Sequence, residues 1–295
     1  MFDLNSLESL VIASETLSFT ETAERRNTVQ SAISSHIRKL ENDVGRPLFE
    51  RGRGQQMRLT PEGQALVAYA RRILSLTDEA LATVKNARFQ ETIRLGTTVS
   101  LAQSVLPPVL SDFARQEPNV QIQVDCDRSN ALLERLAAGE IDFAFMLDQG
   151  KRTGRVFAES TPLVWAGSSD FSPEAWLDVP LVFLTDGRDL RRHAFDALDR
   201  AGRRGHIAYQ CPHPVGLRAF VLSGLALTVM AAPSVTLPLV SFGPQEGLPQ
   251  LGSTVLSLYR PSGHQSEAAE TLGALLNAAV RTRQKPQKAA GLSSV

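Results

Sequence analysis

The sequence predicts an α winged helix-turn-helix domain at its N-terminus, followed by an α/β remainder, and three observations carry that expectation. Apolar residues at helical spacing flank a turn at Asn27, and two short apolar runs around a Gly/Arg-rich tip come next. A seven-residue apolar repeat then starts at Leu66. From Glu91 onward, short strand-like apolar runs alternate with helical ones, the pattern of a parallel or mixed sheet covered by helices.

In chain order, Leu7, Leu10, Val11 and Ser14 define a first helix from Leu4 to Ser14, suited to burying the back of a later helix. Phe19 and Ala23 share a face of a second helix. Ala32, Ile33, Ile37 and Leu40 line a third, and Asn27 between them tolerates a left-handed, helix-ending turn. The third helix turns Gln30, Ser31, Ser34, Ser35, His36 and Arg38 outward. Short amides and hydroxyls with a cation suit base edges and phosphates in a DNA major groove. Val44 to Thr60 reads as a hairpin, or wing, tipped with Gly and Arg. From Arg25 to Thr60 the net charge is +5 in a chain that is neutral overall, so phosphate contact is expected there.

Pro61 opens a long helix to about Phe89. Leu66, Ile73 and Ala80 recur every seven residues, with Ala70, Thr77 and Val84 four after each, which predicts a seam between two copies of the chain. A single amphipathic helix packed on its own domain is the other reading. Strands are expected at Ile93–Val99, Val120–Cys126, Ile141–Leu147, Leu163–Ala166, Leu181–Leu184, His206–Cys211, Leu225–Met230 and Val255–Tyr259. Helices are expected at Leu106–Gln116, Asn130–Ala138, Arg188–Ala201, Val215–Ser223 and Glu267–Thr282.

The chain resembles the LysR-type transcriptional regulators over residues 4 to 282. The matching stretches are Ser18-Phe19-Thr20, Ala23-Glu24-Arg25, Gln30 to Ser34, Ile37 to Glu41, Gly45 to Arg51 and Leu59 to Gly63. Gln30 to Ala32 and Pro162 to Gly167 look most like the branch that contains LrhA and HexA, regulators of motility and exoproduct genes. The resemblance implies a DNA-binding domain at 1–60, a linker and dimerisation helix at 61–90, and an effector domain at 91–282. That effector domain is expected as two lobes of the periplasmic-binding-protein type, one of 91–160 with 263–282 and one of 161–262, leaving 283–295 as a disordered tail. The implied function is a sequence-specific regulator, dimeric or tetrameric, whose activity responds to an unknown small effector in the cleft between the lobes.

Ser18, Thr20, Thr28, Gln30, Ser31, Ser34, Ser35, Arg38 and the wing residue Arg53 are the expected DNA contacts, to a promoter operator of double-stranded DNA. Strand ends beside helix starts nominate Thr98, Ser100, Arg128, Ser129, Asn130, Cys211 and His213 for the effector, a small anion such as a carboxylate. For Ser100 and Ser129, helix capping is the competing role. The turn departs from the family. Arg26 stands where Leu is usual, and Val29 stands where Ser or Thr caps the recognition helix. Either Thr28 caps with a shift of register or the helix starts less firmly.

Enzymatic function is not expected, because the chain carries no phosphate loop, Gly-x-Ser-x-Gly or dinucleotide fingerprint. The five histidines and two cysteines lack metal-ligand spacing, so neither metal nor other cofactor is expected. Neither a secretory signal nor a membrane-length apolar run is visible, which with only two cysteines suggests the bacterial cytoplasm and its nucleoid. RNA polymerase is a further partner implied by the family. The alternative function is a ligand-binding or redox-sensing α/β protein that attracts DNA non-specifically.

Overall fold

The computed structural model describes residues 2–50, 57–85, 91–148, 150, 152–261 and 266–283. The chain divides into two compact units. The first takes the chain up to Gly96 with Pro118–Asp125 and Asn130–Ala144; the second takes Thr97–Glu117, Cys126–Ser129 and the chain from Phe145.

The first unit opens with α1 (Leu4–Thr16), α2 (Phe19–Arg25) and α3 (Gln30–Val44). Asp3 caps α1, accepting from the Ser6 amide at 2.8 Å, and Ser18 caps α2, accepting from the Glu21 amide at 3.3 Å. Asn27 is left-handed, with φ 51°, as the turn requires. The short strands β1 (Phe49–Glu50) and β2 (Arg58–Leu59) pair antiparallel, Phe49 opposite Leu59, and α4 (Pro61–Val84) follows. Leu7, Leu10, Ile33, Ile37, Leu40 and Leu48 are fully or almost fully buried in one core, with the Phe19 and Phe49 rings edge to face at 5.5 Å. The back of α3 is thereby anchored on α1.

Lys39 on α3 reaches back to Asp3 at 2.7 Å. That hydrogen bond, then those from the Ser6 amide and hydroxyl, hold the Asp3 carboxyl well below its ordinary value of 3.8. A depressed carboxyl contributes stability that is present above its unfolded value and lost as the pH falls through its folded one. Asp3→Asn is therefore expected to flatten the loss of stability on acidification below pH 3.8. Urea midpoints of the two proteins from neutral to acid pH test this. Parallel curves would show that the carboxylate contributes nothing.

Further along, β3 (Glu91–Thr97), β4 (Val120–Cys126), α7 (Ser129–Ala137) and β5 (Phe143–Leu147) follow, with α5 (Val99–Ser104) and α6 (Leu106–Gln116) between β3 and β4. Within the first unit, Arg71 of α4 donates to the Ala138 carbonyl at 2.8 Å and pairs with Glu140 at 3.2 Å and with Glu15 of α1 at 3.0 Å. Arg135 continues the chain of charges from Glu140, at 3.2 Å, to Asp125, at 2.9 Å. Asp142 accepts from the Arg94 amide at 2.7 Å, and burial pushes its carboxyl up.

The second unit is built on β6 (Arg155–Ser168), a long strand flanked antiparallel by β9 (Thr228–Ala231), β10 (Leu239–Phe242) and β11 (Ser253–Tyr259). A separate parallel pair joins β7 (Asp178–Leu184) to β8 (Arg204–Cys211), with α8 (Arg188–Arg200) between them. Helices α9 (Pro214–Leu222) and α10 (Glu267–Thr282), with α5 and α6, also belong to it. Successive residues of β6 point to opposite faces: Leu163 and Trp165 enter one core, Val164 and Ala166 another. Expected strands and helices are all found, most within two or three residues. The sequence reading lacked β10, α5 and the first half of β6.

Candidate nucleic-acid interface and effector cavity

On α3, Gln30, Ser31, Ser35 and Arg38 are exposed and Ser34 is half-buried. The Gln30 amide donates to the Ser34 hydroxyl at 3.0 Å, so two of the expected DNA contacts hold each other in place. Thr20 and Thr28 are also exposed, while Ser18 spends its hydroxyl on its cap. Arg53 and the wing tip lie outside the described residues.

The register of the recognition helix is settled at its first turn. Val29, not Thr28, is the N-cap; it makes no side-chain cap bond and its side chain is 64% exposed. No shift of register rescues the cap, so the helix starts without one. Against expectation, His36 does not join the DNA face. Its Nδ1 lies 2.7 Å from the buried Ser9 hydroxyl of α1. Arg26 likewise turns inward, pairing with Glu8 at 2.6 Å and donating to the Asn5 carbonyl at 2.8 Å. A guanidinium can satisfy several acceptors in one plane, which is how a charge fills a place that usually suits Leu.

The linker helix corrects part of the expected seam. Ala70 is fully buried in its own unit's core beside Val67, and Leu66 packs against the same core. Neither face is offered outward. Ile73 and Ala80 are exposed, Val84 is 82% exposed, and Thr77 bonds back to the Ile73 carbonyl at 2.9 Å. Tyr69 and Leu76, which sequence reading missed, are also exposed. The outward stripe is thus 69, 73, 76, 80 and 84, at spacings of three and four.

In the second unit a cavity of about 480 Å³, within the range that holds small ligands, gathers five of the seven expected effector residues: Thr98, Ser100, Arg128, Ser129 and His213. Val99, Phe183, Leu190, Leu217 and Met230 supply its apolar wall. Asn130 and Cys211 are not among the lining residues; Cys211 is buried with its thiol 3.5 Å from the His213 carbonyl. The competing role of capping fails for Ser100 and Ser129. Ser100 lies inside α5, and the Ser129 hydroxyl donates to the Leu147 carbonyl at 3.3 Å. His213 does cap, accepting from the Val215 amide at 3.3 Å. Arg128 pairs with Asp186 at 2.7 Å, and Asp127 accepts from the Arg128 amide at 2.7 Å. The lining therefore holds two carboxylates and one guanidinium, the latter already partnered.

Two family models match in order: the bacterial regulatory helix-turn-helix protein of the lysR family at residues 4–64, and the LysR substrate binding domain at residues 86–281. The chain belongs to the LysR family. It is a DNA-binding transcriptional regulator, not an enzyme. Among relatives, the regulator DgdR of Burkholderia cepacia is 34% identical, over 93% of this chain and 94% of DgdR. Full-length LysG of Corynebacterium glutamicum, solved with bound effector Arg, is 17% identical and shares the fold at a TM-score of 0.66, over 95% of this chain and 98% of LysG. Full-length CbnR complexed with its target DNA is 18% identical at a TM-score of 0.58, over 94% of this chain and 99% of CbnR. Among the described residues no helix of this LysR regulator is long and apolar enough to cross a membrane, and no three His, Cys, Asp or Glu side chains could hold a metal.

Proposed function

We propose that this regulator reads a promoter operator through Gln30, Ser31, Ser34 and Ser35, held on phosphate by Thr20, Thr28 and Arg38, and that a small effector in the 480 Å³ cavity controls it. The cavity carries the proposal, because it joins an apolar wall to three hydroxyls, Thr98, Ser100 and Ser129, and one ion pair. A carboxylate ligand competes with Asp186 for Arg128; an amino acid can pair with both. LysG's bound Arg supports that second chemistry. Dimerisation uses the outward stripe of α4, so two α3 helices meet half-sites about one DNA turn or a multiple apart. Effector binding then shifts the dimer or tetramer arrangement, altering DNA bending and contact with RNA polymerase. The division into DNA-binding, linker and effector segments, the bacterial cytoplasm and its nucleoid as the place of action, and membership of the LrhA and HexA branch belong to the same reading.

Thermal denaturation with a panel of amino acids and aliphatic or aromatic carboxylates tests it, with Leu217→Trp, which fills the cavity, as the control. A true effector at a hundred times its dissociation constant stabilises the native chain by about 2.7 kcal/mol. That stabilisation is expected to vanish in Leu217→Trp. A compound that stabilises both proteins equally would place the effector elsewhere, and silence across the panel with normal operator control in Leu217→Trp would remove the cavity from the mechanism.

A further inference from the structure

In the second unit a small recess adjoins the effector cavity. Ser100, Pro214, Leu217, Met230 and Ser234 line both, so the two spaces share a wall. The recess holds about 20 Å³, and Gln103, Arg218 and Thr236 complete its polar lining. A water-sized group needs roughly 10–15 Å³, so there is room for one or two oxygen atoms. Arg218 stands on α9 and is half-buried, while Ser234 is buried. Among the described residues no carboxylate lines the recess, and none pairs with the Arg218 guanidinium or accepts a hydrogen bond from it. The hydroxyls of Ser100, Ser234 and Thr236 are likewise uncommitted among the described residues. The cavity proper has the opposite balance. Asp127 and Asp186 outnumber Arg128 there, and Asp186 already holds Arg128 at 2.7 Å.

We infer that this recess is the carboxylate subsite of the effector, with Arg218 as the partner, and that the effector is a monocarboxylic acid whose apolar body lies in the cavity against Leu217 and Met230. This rests on the cavity being the effector site. A carboxylate on Arg128 must first displace Asp186, which exchanges one ion pair for another. On Arg218 it displaces no side chain, and a guanidinium fork can hold both of its oxygens at once. Ser234 and Thr236 offer hydroxyl protons to the same two atoms. Size excludes larger anions, because the four oxygens of a phosphate or sulfate exceed the recess. Charge then orients the ligand. Its negative end is drawn to Arg218, and a second negative group in the cavity would face Asp127 and Asp186.

The experiment is thermal denaturation of the full-length chain with a series of aliphatic and aromatic monocarboxylic acids, each beside its own primary amide. The amide keeps the shape and removes the charge. Titration of the acid that stabilises most gives its apparent dissociation constant and the preference for acid over amide. In Arg218→Gln that constant is expected to rise about ten- to a hundredfold, the scale of hydrogen bonds to a charged group, and the preference for the acid should disappear. Arg218→Lys keeps the charge without the fork and should recover part of both. Arg128→Gln should lower the preference less than Arg218→Gln does. A preference undiminished in Arg218→Gln, or diminished more by Arg128→Gln, would overturn the inference while leaving the cavity as the effector site. So would equal stabilisation by acid and amide, or silence of every acid on the wild-type chain. An acid that stabilises Leu217→Trp as well as the wild type binds outside the cavity, and would overturn the cavity reading together with the inference.

Discussion

Gly63→Ala should cost the N-terminal unit about 1–3 kcal/mol, the usual scale for overpacking. At an ordinary helical site the same change would stabilise by up to about 1 kcal/mol, so even the sign is diagnostic. A Cβ at Gly63 would lie 2.1 Å from the Leu48 carbonyl oxygen and 2.9 Å from a Leu59 methyl. The Leu59 methyl can shift, but the Leu48 carbonyl cannot retreat. The Leu48 carbonyl accepts from the Thr60 amide at 3.0 Å, and the Leu48 amide donates to Glu41 of α3 at 3.0 Å. Thr60 in turn accepts from the Gly63 amide at 2.9 Å and donates to the Pro47 carbonyl at 2.8 Å. This joint locks the base of the wing to the start of α4. Chemical denaturation of the two proteins measures the effect, and a midpoint that stays or rises would mean α4 can move off the wing at little cost.

Gln30→Ala should lower operator discrimination by roughly 1–3 kcal/mol, about five- to 150-fold in the ratio of specific to random binding. Gln30 is exposed on the first turn of α3, where its amide can make paired hydrogen bonds to an adenine edge. Its bond to Ser34 adds to the effect, because removing the amide also frees the hydroxyl it orients. Binding to random DNA should change little, since phosphate contacts dominate there. Competition between operator and random duplexes at fixed salt gives the ratio directly. Equal weakening on both would exclude Gln30 from base reading.

Much of this organisation is local and could be read from residue order. Periodicity placed α1 to α3, because Leu7, Leu10, Ile33, Ile37 and Leu40 all serve one core at helical spacing. Leu163 to Ala166 read as a strand because both of its faces are buried, making a continuous apolar run. The first half of β6, Arg155 to Thr161, runs three apolar residues, Val156 to Ala158, into Glu159, Ser160 and Thr161, so it lacks the polar/apolar alternation that marks a strand. Strand ends beside helix starts nominated Thr98, Ser100, Arg128, Ser129 and His213, a consequence of α/β architecture that needs no coordinates.

What residue order by itself determined, then, was the succession of helices and strands, the basic N-terminal segment and about half of the cavity's polar lining. Each depends on spacing along one element or on its ends. The tertiary structure alone decided which partner each ambiguous side chain takes. The heptad pattern of α4 could not tell a neighbour copy from its own core, and packing buries Ala70 while leaving Tyr69 and Leu76 outside. His36 has the composition of a DNA contact, yet Ser9, 27 residues earlier, claims it. Arg26 looks like surface charge until Asn5, Ser9 and Glu8 converge on it. Such choices follow from desolvation and hydrogen-bond satisfaction among residues distant in the chain, and no local periodicity encodes them.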